Sequence, residues 1–332
     1  MNEMNPSTHA AGKPEAKGGA VRFPGEWEPQ ARVFVSRPNH HETWPIEADL
    51  EAARREWDAL VEAIGEVTPV TDVAELEVPV DDAWVRDTAP LFVETTGGGL
   101  HAQCFKFTAY GYKWEYERDA KVGTSVAAAL GVPSTLHPLG LEGGAIESNG
   151  RGVAISTAAC TLDEARNPGL SRDRLEAALA ESLGIETLVL LDAALPGDHT
   201  DGHIDNTVRF VAEDRVLAVE PFVEAARAEL EPLGIAVDAL PMAEPWEYTY
   251  PPHVPDPGTH PLPASYANFL ITNGRVILPA YGQPTDADAA SVLRKAFPDR
   301  EVVTLPARHI LIGGGSFHCL TMQLPVGSTI RA

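Results

Sequence analysis

A recurring order of elements is the feature that most restricts the fold of this chain. From residue 81 onward, apolar spacing predicts a polar motif, two strands, a helix and a third strand, in four successive copies that open at residues 81, 141, 201 and 265. A fifth motif, at 313–319, is followed by only one strand. Residues 33–70 supply the strand, helix and strand that this last unit lacks. We therefore predict an α/β fold of five ββαβ units, closed into a ring by pairing of the N- and C-terminal segments.

The position of the motifs within the units predicts a functional site. Each motif stands directly before the first, innermost strand of its unit, so a ring brings all five motifs to one end of a common axis. We expect the following side chains to converge there: Asp87, Glu142, His203, Asp205 and Cys319.

Length and composition suggest one large domain. The 332 residues, 44% of them hydrophobic, can bury a substantial core. Residues 1–20 are rich in Gly, Ala, Lys and Pro and predict a disordered tail, while residues 21–330 form the predicted domain. The Pro-rich stretch 241–263 predicts a loop.

The charge and the cysteines restrict partners and location. Lys plus Arg is 25 and Asp plus Glu is 48, so the net charge of −23 argues against nucleic acid or an anionic membrane as partner. The cysteines, Cys104, Cys160 and Cys319, are odd in number and widely spaced, which fits a reducing cytoplasm better than a disulfide scaffold. Neither a signal peptide nor an apolar membrane span is evident. The oligomeric state stays open, with a homodimer as one candidate.

Cys319 follows three glycines, which allow a sharp turn or the close approach of a ligand. Residues 318–324 alternate like a strand, which predicts that Cys319 and His318 face opposite ways. A nucleophilic Cys319 would then need a base from another motif. The alternative is that Cys319 is a small buried apolar residue.

His203 is the candidate base, because a thiol with an ordinary pKa near 8.5 is mostly protonated at pH 7. In an extended segment, Asp201, His203 and Asp205 would share one side. A metal site and a hydrogen-bonded structural histidine remain alternatives for this motif.

Several carboxylates around a cysteine disfavour an anionic substrate and suit a cation. A planar guanidinium matches carboxylates through paired hydrogen bonds, and its charge would help to lower the thiol pKa. Alternatives remain at individual positions: Glu142 could cap a turn, Asp87 could form a buried ion pair, and Trp84 could be a core residue.

Four motifs in this order resemble those of the agmatine deiminase family, which belongs with the bacterial peptidylarginine deiminases to the guanidino-group-modifying enzymes. The motifs are WVRDTAP (84–90), EGG (142–144), TDGHID (200–205) and GGGSFHCLTMQ (313–323). The resemblance spans about residues 23–325 and includes the segments 25–29, 166–170 and 265–269.

The resemblance implies a five-bladed α/β-propeller and cofactor-free, metal-free hydrolysis of agmatine to N-carbamoylputrescine and ammonia, a reaction of putrescine and polyamine biosynthesis. It also implies roles for the matching residues. Cys319 would be the nucleophile, His203 the general acid and base, Glu142 a partner of the histidine or the substrate, and Asp87 and Asp205 the guanidinium clamp. The predicted substrate-binding residues are Trp84, Arg86, Asp201, Gly314 and Gly315.

Four positions depart from the family pattern, namely Ala89, Ala145, Asn149 and Tyr112. Tyr112 belongs to the segment Tyr110-Gly111-Tyr112, where the family commonly has Trp-Gly-Gly. These departures put the substrate tail in doubt and leave the reaction type unchanged. Rival interpretations are a deiminase for peptidyl-arginine or another guanidino compound, an amidinotransferase, a metal-dependent hydrolase using His203, Asp201 and Asp205, and a non-catalytic polyamine-binding protein.

Overall fold

The computed structural model describes residues 21–254 and 256–327. The predicted tail, 1–20, and the end of the predicted domain, 328–330, lie outside the described residues. Among the described helices, none combines the length and apolar character needed to cross a membrane.

The described residues form a mixed α/β fold. The strands are β1 Val21–Arg22, β2 Gln30–Val35, β3 Val70–Asp72, β4 Leu91–Thr95, β5 Leu100–Lys106, β6 Ser134–Gly140, β7 Ile146–Ser148, β8 Val153–Thr157, β9 Thr187–Leu191, β10 Val208–Ala212, β11 Arg215–Val219, β12 Ala236–Leu240, β13 Trp246–Tyr250, β14 Gly258–Leu262, β15 Leu270–Ile271, β16 Arg275–Ala280, β17 Glu301–Pro306 and β18 Thr321–Pro325. The helices are α1 Glu47–Gly65, α2 Val85–Thr88, α3 Ala109–Tyr112, α4 Asp119–Leu130, α5 Ala158–Thr161, α6 Arg172–Leu183, α7 Val223–Leu230, α8 Thr285–Ala296 and α9 Arg308–Ile312.

Five sheets repeat one pairing scheme, in which the first two strands are antiparallel and the second and third are parallel. They are β4-β5-β6, which also carries β1 at its edge, then β7-β8-β9, β10-β11-β12, β15-β16-β17 and β18-β2-β3. One long helix connects the second and third strands of each sheet: α4, α6, α7, α8 and α1 in the same order.

The fifth sheet joins the two ends of the described chain. Strand β18 pairs antiparallel with β2, with Met322 opposite Phe34 and Gln323 opposite Val33. Strand β2 in turn pairs parallel with β3. The predicted pairing of the N- and C-terminal segments is confirmed.

Local sequence explains where the connecting helices begin and end. Helix α1 buries Leu50, Trp57, Leu60 and Ile64, whose spacing places them on one face of an α-helix. In α6, the hydroxyl of Ser171 accepts a hydrogen bond from the Arg174 amide as N-cap, and Gly184 ends the helix at φ 68°. These helices cover the sheets and complete the apolar core.

The Pro-rich stretch 241–263 is not a plain loop, because it contains the antiparallel hairpin β13–β14. Alternating aromatic residues of β13 pack against the core, and Tyr248 donates from its hydroxyl to Asp49 Oδ2 at 2.5 Å. The prediction failed because proline and glycine are tolerated in a two-stranded edge ribbon.

A short turn stands directly before the first strand of each unit. Helix α2 precedes β4, single 3₁₀ turns at Gly143–Ala145, Ile204–Asn206 and Tyr266–Asn268 precede β7, β10 and β15, and a turn at 316–320 precedes β18. These five turns carry the motif residues.

Candidate active site

The segment around Cys319 is a turn, in which the Leu320 amide donates to the Ser316 carbonyl at 3.2 Å. The turn brings Cys319 Sγ to 3.7 Å from Asp205 Oδ2, and His318 Nδ1 lies 2.8 Å from the same oxygen. The predicted opposite orientation of Cys319 and His318 is therefore wrong, because the backbone becomes extended only after the turn.

Asn268 fixes this turn from the neighbouring unit. Its Oδ1 accepts from the amides of His318 and Cys319 at 3.0 and 3.2 Å, and its Nδ2 lies 3.1 Å from Cys319 Sγ. An amide donor at this sulfur stabilises a thiolate relative to a thiol.

His203 is fully buried and held by its backbone, whose amide donates to Asp198 Oδ2 and Thr200 Oγ1. The ring lies between two carboxylates: Nδ1 is 3.6 Å from Asp87 Oδ1, and Nε2 is 3.9 Å from Glu142 Oε2. Burial alone would lower the pKa of His203, but Asp87, Cys160 and Glu142 outweigh it and raise the pKa well above its usual value. The imidazole is therefore protonated at neutral pH.

The DGHID segment is bent rather than extended, with φ of 66° at Asp201 and 103° at Gly202. Asp201 consequently turns to Lys113 Nζ, at 2.7 Å, whereas Asp205 meets His318. The prediction that Asp201, His203 and Asp205 share one side is wrong for this reason.

Asp87 is buried at the centre of the site. Its Oδ1 accepts from the Gly144 amide and its Oδ2 from the Tyr110 hydroxyl, both at 3.0 Å. Burial, with the negative charges of Asp205 and Glu142, raises the pKa of Asp87 to about 6, although the His203 charge opposes this. Asp87 is the carboxylate of this cluster that titrates near neutral pH.

Gly144 lets these groups approach one another. A Cβ at this position would lie 2.6 Å from His203 Nδ1, 2.9 Å from Asp87 Oδ1 and 3.0 Å from Asp205 Oδ2. The missing side chain thus makes room for one imidazole and two carboxylates.

Glu142 is buried in an ion pair with Arg166, whose Nε lies 2.9 Å from Glu142 Oε1. Arg166 also donates from Nη1 to Asp201 and from Nη2 to the Thr200 carbonyl, both at 2.7 Å. Burial opposes ionisation of Glu142, but His203 and Arg166 lower its pKa below the usual value. Arg166 thus keeps Glu142 ionised and ties it to the His203 segment.

Asp205 is held ionised by His318. His318 places Nδ1 2.8 Å from Asp205 Oδ2 and Nε2 2.7 Å from Glu26 Oε2, so its ring bridges two buried carboxylates. Burial opposes ionisation of Asp205, yet the hydrogen bond and charge of His318 lower its pKa.

The thiol of Cys319 is strongly affected by these surroundings. Burial and the charges of Asp205 and Asp87 raise the pKa of Cys319 well above its usual value, although Asn268 acts in the opposite direction. Unless a positive charge offsets these carboxylates, Cys319 is therefore a thiol rather than a thiolate at neutral pH.

A cavity of about 310 Å³ leads to Asp87 and Cys319. Trp84 and Tyr110 form part of its wall. Within the described chain, one lysine, Lys113, lines the cavity together with seven acidic side chains, namely Glu42, Asp81, Asp82, Asp87, Glu115, Asp119 and Asp256. The site is therefore strongly anionic, as predicted for a cationic substrate.

Three of the predicted substrate-binding residues, Trp84, Gly314 and Gly315, line this cavity. A Cβ on Gly315 would lie 2.8 Å from the Trp84 ring and 3.1 Å from Cys319 Sγ, so glycine keeps the sulfur accessible.

Arg86 and Asp201, also predicted to bind substrate, are directed elsewhere. The buried Arg86 guanidinium donates to Gln323 Oε1 at 2.8 Å and to the His318 carbonyl at 3.3 Å. Asp201 is paired with Lys113 and Arg166. Neither residue lines the cavity, so both are better described as supports of the site.

Sequence reasoning assigned no role to four residues that contact the site, namely Tyr110, Cys160, Arg166 and Asn268. Signals for two of them were available, because Asn268 opens the fourth unit and Arg166 lies in the RNPGL segment. Cys160 Sγ lies 3.7 Å from Glu142 Oε2, and only the folded chain brings these two residues together.

Among the residues that the structure describes, two buried clusters have donor atoms close enough to hold a metal ion: Glu142 with Cys160 and His203, and Glu26 with Glu147 and His318. In both, an arginine already neutralises the carboxylates. Arg166 pairs with Glu142, and Arg209 lies 2.8 Å from Glu26 and 2.6 Å from Glu147. The donor sets therefore fit the arginines present better than a divalent cation.

Comparison with known proteins gives a consistent result. The sequence profile of the Porphyromonas-type peptidyl-arginine deiminase family matches residues 22–325. The agmatine deiminase of Stutzerimonas stutzeri (strain A1501) is 34% identical to this chain, over 91% of the chain and 95% of the relative.

Solved structures agree over nearly the whole chain. The Enterococcus faecalis agmatine deiminase superposes with a TM-score of 0.84 at 27% identity, covering 92% of this chain and 96% of that one. A cysteine-to-serine agmatine deiminase from C. jejuni, solved with substrate bound, gives a TM-score of 0.83 at 26% identity, covering 95% and 99%.

Proposed function

Because the chain belongs to the agmatine deiminase and Porphyromonas-type peptidyl-arginine deiminase family of hydrolases, we propose that it hydrolyses agmatine to N-carbamoylputrescine and ammonia. One observation supports the proposal above others. The His203 imidazole and the carboxylates of Asp87 and Asp205 converge around Gly144. The Cys319 thiol lies 3.7 Å from Asp205 Oδ2, Glu142 lies 3.9 Å from His203 Nε2, and an acid-lined cavity leads to Asp87 and Cys319. Such a set can bind a flat cation and attack its central carbon.

In the first half of the reaction, Asp87 and Asp205 hold the guanidinium against Cys319. The substrate's positive charge offsets the carboxylates that raise the thiol pKa, so the thiol loses its proton to water on binding. The thiolate forms a C–S bond with the guanidino carbon. His203 then donates its proton to one amino nitrogen, the C–N bond breaks, and ammonia leaves a cationic thiouronium on Cys319.

In the second half, neutral His203 takes a proton from water as the oxygen bonds to the thiouronium carbon. The C–S bond breaks, and Cys319 departs as a thiolate that regains from solvent the proton it lost on substrate binding. The remaining hydroxyl proton passes to solvent, where it converts the ammonia to ammonium. Glu142, kept ionised by Arg166, stabilises His203 while it is protonated. Asp87 and Asp205 hold the guanidino carbon close to Cys319, and this proximity accounts for much of the expected rate.

The outer cavity fits the amine tail of agmatine. Burial, with the nearby charges of Asp82 and Asp81, raises the pKa of Asp119 to about 8, although backbone hydrogen bonds from the two residues act in the opposite direction. A bound ammonium would relieve this concentration of negative charge. Trp84, on the cavity wall, offers an apolar surface to the methylene chain.

A substrate series tests the proposal. Wild-type protein should release ammonia from agmatine, and n-butylguanidine, which lacks the amine, should have a kcat/KM lower by about 10-fold or more. Arginine places a carboxylate among these acids, at a cost of several kcal/mol, so its kcat/KM should be at least about 100-fold lower. Ammonia release and product mass spectrometry measure both effects. Equal use of peptidyl-arginine, or formation of a new guanidine with an added amine, would favour the rival deiminase or transferase.

Chelation tests the metal-dependent alternative. Because arginines occupy the two buried donor clusters, ammonia release should be unchanged after incubation with EDTA and dialysis. Loss of activity that zinc or manganese restores would contradict the proposed mechanism.

The proposal also includes the predicted propeller fold, the location and the pathway of the enzyme. The repeated pairing scheme and the joined ends support a five-bladed α/β-propeller. The free cysteines, Cys104, Cys160 and Cys319, support a cytoplasmic location. The proposed product, N-carbamoylputrescine, is the basis for proposing a role in putrescine biosynthesis. A homodimer remains an untested prediction.

A further inference from the structure

Tyr110 contacts two members of the catalytic cluster. Its hydroxyl donates to Asp87 Oδ2 at 3.0 Å, and its ring meets the His203 ring edge to face, with centroids 5.8 Å apart. The side chain is almost completely buried, and it also lines the cavity. Tyr110 is thus placed between the substrate site and both groups.

The backbone around Tyr110 is unusual. Ala109, Tyr110, Gly111 and Tyr112, the four residues of α3, all have positive φ, of 47°, 59°, 88° and 66°, so α3 is a left-handed turn rather than a regular helix. Three of them carry side chains, for which the left-handed region is unfavourable, and such a conformation persists only where the surroundings impose it. The Tyr110 hydrogen bond to Asp87 and the Lys113 contacts with Asp201 and the His199 carbonyl hold the two ends of this turn.

We propose that Tyr110 is a positioning residue for the guanidinium clamp: its hydroxyl fixes the Asp87 carboxylate and keeps it ionised for substrate binding. This inference rests on the proposed function for the role of Asp87. Each Asp87 oxygen already accepts one hydrogen bond, from Gly144 or Tyr110, and retains a second lone pair for the substrate. Tyr110 therefore orients the acceptor without blocking it.

The hydroxyl also affects the charge of Asp87, because a hydrogen bond to the ionised form favours that form. The other ionisable groups that face Asp87 are His203, Asp205, Glu142 and Cys319. The Tyr110 hydroxyl bonds Asp87 and makes no described hydrogen bond to any of these four groups, so its removal isolates one contribution. The pKa of Asp87, about 6 with Tyr110 present, should rise by about one unit in Tyr110→Phe, given the strength of hydrogen bonds to charged groups.

Carbon-13 NMR of proteins labelled at the aspartate carboxyl measures this directly, with the Asp87 signal assigned by Asp87→Asn. Tyr112→Phe is the matched control, since the Tyr112 hydroxyl lies on the same turn but bonds Lys106 Nζ at the surface. The midpoint should shift in Tyr110→Phe and not in Tyr112→Phe. An unchanged midpoint in Tyr110→Phe would overturn the inference. Tyr110→Leu, which also lacks the hydroxyl, repeats the measurement if the phenylalanine variant does not fold.

The pH profile gives a second readout. Asp87 must be ionised to bind the cation, so kcat/KM for agmatine rises with pH through about 6 in the wild type. A one-unit shift predicts that Tyr110→Phe is about fivefold slower at pH 6 and approaches the wild type by pH 8.5. Loss of activity by the same factor at every pH would contradict a role in ionisation. A wild type that releases no ammonia would refute the proposed function, while the NMR midpoint would still decide the role of Tyr110.

Discussion

Cys319→Ala should abolish ammonia release from agmatine, with a fall in kcat of at least about 10⁴-fold, because the covalent route has no substitute nucleophile. Stability should change only within the ordinary range of about 0.5–3 kcal/mol. Steady-state kinetics and thermal unfolding measure the two quantities. Cys104→Ala is the matched control: this thiol is equally buried but lies in β5, outside the cluster. It should lose some stability and keep its kcat.

Alkylation tests why Cys319 is reactive. Burial and the nearby carboxylates raise the thiol pKa of Cys319 well above its usual value, so the neutral reagent iodoacetamide should label Cys319 slowly at pH 7. A haloacetamidine carries the positive charge that the site attracts, and it should label Cys319 much faster. Peptide mass spectrometry distinguishes the sites. Retained turnover in Cys319→Ala, or preferential labelling of Cys104 or Cys160 by the amidine, would refute the covalent mechanism.

Much of the fold could be predicted because hydrophobic periodicity reports which face of an element is buried. Each of the four units that open at residues 81, 141, 201 and 265 contains the predicted two strands, helix and third strand in that order. The β13–β14 hairpin was missed, since its prolines and glycines resemble those of a loop. A strand at the edge of a sheet tolerates such residues, and sequence alone does not show that a partner strand lies beside it.

Each motif stands directly before an inner strand, and this position predicted that the motif residues converge at one site. The directions of their side chains could not be predicted in the same way. Alternation applies only to extended backbone, and both Cys319 and His203 lie at turns. The pairing of His318 with Asp205, and of Tyr110 with Asp87, links residues far apart in the chain. Such contacts depend on how neighbouring units meet, which a single sequence does not encode in any local pattern.

Gly144→Ala should lower activity far more than the addition of a single methyl group ordinarily does. The added Cβ would lie 2.6 Å from His203 Nδ1 and 3.0 Å or less from carboxylate oxygens of Asp87 and Asp205, so all three must move. Displacement of reacting groups by about 1 Å can lower the rate about 100-fold. In Gly144→Ala the general acid His203 and both guanidinium-binding carboxylates, Asp87 and Asp205, would shift together. We expect kcat/KM for agmatine to fall at least about 10³-fold, measured by ammonia release.

Stability separates this effect from general misfolding. Overpacking a buried position typically costs about 1–3 kcal/mol, which should leave Gly144→Ala folded at 25 °C. Gly65→Ala, at the end of α1, is the matched control, because no atom lies within 4 Å of its added Cβ. It should leave both kcat/KM and the unfolding midpoint nearly unchanged. If Gly144→Ala is folded and retains more than about a tenth of wild-type kcat/KM, His203, Asp87 and Asp205 do not act from the positions described, and the clamp must be reassigned.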